Sequence, residues 1–364
     1  MDRFTRALAL AENDSQRAAL HILRGNSYYS TSEYGKAEAD YGETSKLADR
    51  ISPTQDAARA RAAALGNLGL VYADRGELDK AEEHDEKALK IYRDSGNRLG
   101  EAAALGNLGL VYADRGELDK AEEHHKEALK IYRDSGNRRG EAAALGNLGN
   151  IYLQRGDLEK AEDHHKQSLD IDREIGNHLG EAQDLGNLGN VYFQLGDLEK
   201  AEDHHKQSLD IAREIGNRLG EANALGTLGN VYLQRGDLEK AEDAHKQALD
   251  IEREIGDRLG EANALGALGI VYGRRGELDN SEEHHKQALE IDREIGYRLG
   301  EGQDLANLGI VYLRRGELEK ARQHLQQAQA IYQEVGAGGP GLEVVRRALE
   351  DIAEMERQQR ERGE

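Results

Sequence analysis

Residues 101–140 read EAAALGNLGLVYADRGELDKAEEHHKEALKIYRDSGNRRG, and residues 61–100 match them at all but five positions. Tyr112 of this stretch recurs as Tyr72, Tyr152, Tyr192, Tyr232, Tyr272 and Tyr312, always 40 residues apart. Gly116 recurs in step as Gly76, Gly156, Gly196, Gly236, Gly276 and Gly316. A fixed period of this size marks a stacked repeat architecture. Seven units run over 57–336. A diverged eighth precedes them, in which Gly25, Tyr28, Tyr34, Ala37 and Tyr41 keep the internal spacing. Residues 2–12 read as the second helix of a unit whose first helix is missing.

Each unit divides into two helices. Leu219, Ala222, Leu225, Leu228 and Tyr232 step by three or four and trace one helical face, as do Leu198, Ala201, His205, Leu209 and Ala212 in the preceding second helix. Gly236-Asp237 supplies a helix stop followed by an N-cap, and Gly216-Asn217 repeats that punctuation between units. Turns this short set successive helices antiparallel and adjacent, so the expected fold is all-α, an α-solenoid of helix pairs. The expected organisation is 1–56 as a half-repeat and a diverged repeat, 57–336 as seven repeats, and 337–364 as a linker and capping helix. Pro53 after Ser52 reads as a helix start. Leu342, Val345, Ala348, Leu349, Ile352 and Met355 read as one face of the final helix.

Composition narrows the function. The 364 residues include 42 Gly and only 2 Phe, with no Trp or Cys. Without Cys there is no disulfide, thiolate metal site or cysteine nucleophile. A net charge of -21 argues against nucleic acid or an anionic membrane as partner, since both call for clustered Lys and Arg. No apolar run is long enough to span a membrane, and the N-terminus has no apolar leader core. These features point to the cytoplasm. The second helices at 237–256 and 277–296 carry seven acids each, whereas the first helices at 217–236 and 257–276 carry one and two. Most of the charge thus sits on one wall, which reads first as a solubilising coat.

No catalytic motif stands out. There is no phosphate-binding Gly-rich loop followed by Lys, and the Gly-x-x-Gly pairs lie inside helices. Paired histidines (His124-His125, His164-His165, His204-His205 and His284-His285) suggest metal ligation only superficially. One of each pair falls on the packing face, and open repeats lack the four inward carboxylates of a di-iron bundle. A non-enzyme with neither metal nor cofactor is expected.

The repeat resembles the tetratricopeptide repeat. Leu105, Leu108, Gly109 and Tyr112 in the first helix, with Ala121, His125 and Ala128 in the second, match its motif. The family's first aromatic is Leu105 here, its second-helix aromatic is His125, and its terminal Pro is absent. The 40-residue period and the Leu-Gly-Asn triplet at Leu148-Gly149-Asn150 look like the long-helix subgroup of kinesin light chains and Pins scaffolds. The resemblance implies a right-handed superhelix whose first helices line a concave groove.

Carried onto this sequence, the groove positions form two ladders. Asn67, Asn107, Asn147, Asn187 and Asn307 occupy one, and Asn150, Asn190 and Asn230 the other, with donors and acceptors suited to a peptide backbone. Duplication alone could also have copied them to bond between neighbouring helices. Gly106 and its equivalents read as groove clearance, and Gly109 and its equivalents as close packing. Phe193 and Leu233 supply apolar surface, and Arg274 and Arg314 a cationic end suited to an acidic partner. Lys or Arg is missing beside the Asn ladder, which argues against a clamp for a terminal carboxylate. The expected function is a scaffold binding an extended peptide. The alternatives are a sensory arm of a larger signalling protein, or self-association through the N-terminal end.

Overall fold

The computed structural model describes residues 2–51 and 54–362. Among these, every regular element is an α-helix. Helix α1 (Asp2–Leu10) precedes a pair formed by α2 (Asp14–Tyr29) and α3 (Tyr34–Ile51). Pairs follow in register: α4 (Gln55–Asp74) with α5 (Leu78–Asp94), α6 (Arg98–Asp114) with α7 (Leu118–Ser135), and α8 (Arg138–Gln154) with α9 (Leu158–Ile175). Next come α10 (His178–Leu195) with α11 (Leu198–Glu214), and α12 (Arg218–Arg235) with α13 (Leu238–Ile255). The last pairs are α14 (Arg258–Arg275) with α15 (Leu278–Ile295), and α16 (Arg298–Arg314) with α17 (Leu318–Glu334). Helix α18 (Pro340–Arg362) ends the described chain. Two compact units are present, Met1–Asp184 and Leu185–Glu364, divided within α10.

The turns behave as their sequence demands. Gly136 takes φ 68°, a left-handed conformation that a Cβ disfavours, and closes α7. Asn137 then caps α8, its Oδ1 accepting from the Gly140 amide at 3.0 Å. The expected cap at Asp237 does not form. Its carboxylate instead stands 4.0 Å from the Lys240 ammonium, whereas Asp197 does accept from the Lys200 amide at 3.2 Å. Ser52 and Pro53 lie outside the described residues. The described start of α4 is capped by Thr54, whose Oγ1 accepts from the Ala57 amide at 3.1 Å.

Each core is thin and repeated. In the first unit Ala102, Leu105, Leu108, Ala121, Ala128 and Ile131 are buried together. A buried Leu contributes roughly 1.5–3 kcal/mol, so stability accumulates pair by pair rather than from one large core. Polar clips add to the stacking. The Tyr112 hydroxyl donates to Glu82 Oε1 at 2.6 Å while the Arg115 guanidinium grips the other oxygen. The same clip joins Tyr72 and Arg75 to Glu38, Tyr152 and Arg155 to Glu122, and Tyr272 and Arg275 to Glu242. Hydrogen bonds from Lys246, Tyr272 and Arg275 outweigh burial and hold Glu242 down to about 2. In α18, Val345, Ala348 and Ile352 are buried, but Met355 is 45% exposed and falls off the expected face.

Candidate functional site

The site is built on the outer faces of the first helices. Leu145 and Leu148 anchor α8 in the first unit. One turn of spacing then leaves Asn147 half-buried and Asn150 exposed. Asn107 is also half-buried, but its Nδ2 donates to Asp85 Oδ1 at 3.1 Å, and Asn67 Nδ2 donates to Asn26 Oδ1 at 3.0 Å. These two amides therefore tie neighbouring helices together. In the second unit Asn187, Asn190 and Asn307 are half-buried and Asn230 is exposed. Phe193 is half-buried. Leu233, expected as groove surface, is 8% exposed and packs in the core with Leu225, Leu228 and Ala241.

Arg274 and Arg314 are exposed, each with one guanidinium nitrogen engaged. Arg274 Nη1 donates to the Leu233 carbonyl at 2.7 Å, and Arg314 Nη1 to the Gly273 carbonyl. Each thus adds a second donor to a last-turn carbonyl that already accepts from a turn-glycine amide, and both side chains remain exposed.

The second unit also holds an open cleft of about 460 Å³, lined by α12, α13, α14, α15 and α16. Asn223, Asn230, Asn263, Gln303 and Asn307 form its polar walls, and Gly226 and Gly266 lie in its floor. A Cβ on Gly226 would meet nothing within 4 Å, as at Gly106, whereas one on Gly266 would stand 3.4 Å from Asp304 Oδ1 and one on Gly186 3.5 Å from Ser208 Oγ, so the expected clearance holds at Gly106 and Gly226. Deeper in the cleft are Glu252, Asp292, Asp304 and His245, each at least 95% buried. Burial, with repulsion from Asp257, pushes Glu252 up to about 7. Burial and the neighbouring acids Asp304 and Glu301 push Asp292 up to about 7. Asp304 is raised mainly by burial, and its Oδ1 lies 2.8 Å from His285 Nδ1.

Sequence reasoning treated these acids as solvent-facing. The available signal was a column of the second helices that reads Tyr92, Tyr132, Asp172, Ala212, Glu252, Asp292 and Tyr332. The ring of Tyr132 lies over Gly140, where a Cβ would stand 2.4 Å from it. An acid in that column inherits the same buried place.

The histidines have packing roles. His125 abuts Gly109, where a Cβ would stand 2.6 Å from Nε2, and His165 and His285 repeat the contact with Gly149 and Gly269. Tyr41, Asp85 and Leu325 take that place against Gly25, Gly69 and Gly309. The other histidine of each pair lies tilted against a tyrosine ring. His124 lies 5.1 Å from the Tyr112 ring, and its Nδ1–H donates to the Lys120 carbonyl at 2.8 Å. Among the described residues, no three His, Asp or Glu side chains are grouped so as to hold a metal ion.

Repeated antiparallel helix pairs with conserved internal register define a helical-repeat solenoid protein. A family model for the tetratricopeptide repeat matches residues 60–134, 140–214, 185–254, 220–294 and 260–334, and the chain belongs to that family. Among solved structures, the apo quorum sensor NprR from B. thuringiensis is 14% identical, with 91% of each chain covered and a TM-score of 0.69. A Rap conjugation gene regulator of a plasmid, in complex with a Phr peptide, is 20% identical with a TM-score of 0.59. That match covers 77% of this chain and 74% of the regulator. A signal transduction ATPase with a tetratricopeptide repeat sensor, from Pyrococcus horikoshii, is 17% identical with a TM-score of 0.60. It covers 87% of this chain and 52% of the ATPase. At these identities the likeness is one of fold. No curated protein was found to match the sequence. Among the described residues, no helix is long and apolar enough to cross a membrane.

Proposed function

We propose that the protein is a non-enzymatic scaffold that holds an extended peptide segment along the first helices of its repeats. The observation that carries this reading is the cleft across α12, α14 and α16, walled by amides and floored by small residues. Side-chain amides set on three successive first helices match the alternating donors and acceptors of an extended backbone. Clearance at Gly226 lets that backbone approach. The exposed side chains of Arg274 and Arg314 suit an acidic residue at one end of the segment. A fold shared with a Rap regulator that binds a Phr peptide is consistent with this use.

An array of immobilised ten-residue peptides tests the proposal. Replacing Asn187, Asn190, Asn230 and Asn307 together by Ala should abolish capture of the peptides that the wild-type protein retains. An unchanged set of captured peptides would sink the reading.

A further inference from the structure

Glu252, deep in the cleft, is not neutralised from within. In the first unit, Asp172 receives a hydrogen bond at 2.9 Å from Nδ2 of Asn177, which sits five residues on. For Glu252 in the second unit that place is taken by Asp257, whose side chain has no N–H to give and whose Oδ1 is already accepting from the Gly260 amide at 2.9 Å. Glu252 is therefore 96% buried beside a second acid, with no hydrogen-bond partner for its Oε2 among the described residues. His245, 98% buried, likewise has an unpartnered Nε2. Both residues line the cleft.

The chain makes room for these groups. A Cβ on Gly260 would stand 2.4 Å from the Glu252 carboxyl carbon, and one on Gly300 would stand 2.3 Å from Asp292 Oδ2. No Lys or Arg is among the residues that line the cleft. Asp292 lies beside a second acid, and burial, with the charges of Asp304 and Glu301, raises its carboxyl. A buried carboxyl left without a partner carries an uncompensated desolvation cost, and an entering cation would recover it.

We propose that this cleft receives a cationic side chain of the bound peptide, the guanidinium of an arginine or the ammonium of a lysine, with Glu252, Asp292 and Asp304 as its acceptors. The proposal rests on the peptide-binding reading above. The amide walls at Asn223, Asn263 and Gln303 hold the adjoining backbone, while His245 packs its ring against Gly229.

Argininamide and its neutral isostere citrullinamide separate the pocket from the peptide reading. Carboxyl carbon resonances of Glu252 and Asp292 in the full chain should shift saturably with argininamide and not with citrullinamide. The Glu252→Gln variant, checked for an unchanged helical spectrum and melting profile, should bind argininamide at least tenfold more weakly. Asp292→Asn provides a second variant should the first fail to fold. In the peptide array, replacing Arg by citrulline at one preferred position should weaken capture to a similar extent, and that preference should vanish in the variants. Equal responses to both amides, or argininamide binding undiminished in the variants, would overturn the proposal. Captured peptides with no basic preference would overturn it while leaving the peptide reading intact. Argininamide binding with no peptide captured would overturn the peptide reading, and with it the assignment of the cation to a peptide.

Discussion

The imidazole of His125 lies so close to Gly109 that a Cβ on the glycine would stand 2.6 Å from Nε2, whereas a Cβ on Gly106, one turn earlier, would meet nothing within 4 Å. The two glycines of one helix thus do different work, the first admitting a neighbouring helix and the second leaving an open face. Gly109→Ala should cost about 1–3 kcal/mol, because the ring or the helix must move. Gly226→Ala, in the open class, should instead stabilise the chain by up to about 1 kcal/mol, the usual gain of Ala over Gly inside a helix. It should also weaken peptide capture. Chemical denaturation checks the first pair of expectations, and the peptide array the last.

Among the described residues neither ring nitrogen of His125 has a partner, and the residue is 99% buried. Burial, with a smaller contribution from His124, lowers its pKa from the ordinary 6.5 to about 4. The unfolded chain therefore takes up a proton as pH falls below about 6.5 and the folded chain does not, so stability is lost between about 6.5 and 4. Leu325 already occupies the same place in the last repeat. His125→Leu should stabilise by about 1 kcal/mol at neutral pH, and its advantage should grow as pH falls to 4.5. Urea unfolding at a series of pH values measures this.

Asp85 holds the corresponding position one repeat earlier. Burial pushes its carboxyl up to about 8, against the pull of the Asn107 hydrogen bond. Here the folded pKa lies above the unfolded one, so the contribution is fully present below about pH 4 and is lost as pH rises toward 8. Asp85→Asn should therefore match the wild type near pH 4 and exceed it by at least about 1 kcal/mol near pH 8. The two histidine and aspartate variants should thus diverge from wild type at opposite ends of the pH range. Thermal unfolding across that range shows whether they do.

Arg274 and Arg314 each give one donor to a helix-end carbonyl and remain exposed. Arg274→Glu with Arg314→Glu should weaken capture of peptides that carry an acidic end by about tenfold and flatten the salt dependence of binding. Equal affinity of the double variant and the wild type, measured by fluorescence anisotropy at low and moderate salt, would remove these two residues from the site.

Much of the architecture was legible in the sequence because each repeat reports its own burial. Leu105, Leu108 and Ala121 fall on packed faces in every copy, and Gly136-Asn137 punctuates the chain as its backbone requires. The distinction between Gly106 and Gly109 was legible for the same reason. The buried acids were not. Glu252 follows the same local pattern as its solvent-facing neighbours Asp250 and Glu254, and only its alignment with Tyr92 and Tyr132 betrays an inward place. Leu233 was misread as surface, since a leucine at the end of a first helix can turn either way. The bonds from Asn107 to Asp85 and from Asn67 to Asn26 also needed coordinates, because their partners lie 22 and 41 residues away.

The central claim is that peptides lie along the first helices of the second unit. A captured peptide carrying a photoreactive diazirine tests it most directly, with the cross-linked residues located by mass spectrometry. Cross-links are expected at Asn223, Asn230, Asn263, Ile270 and Asn307. Cross-links confined to the second helices, 238–255 and 278–295, would contradict it.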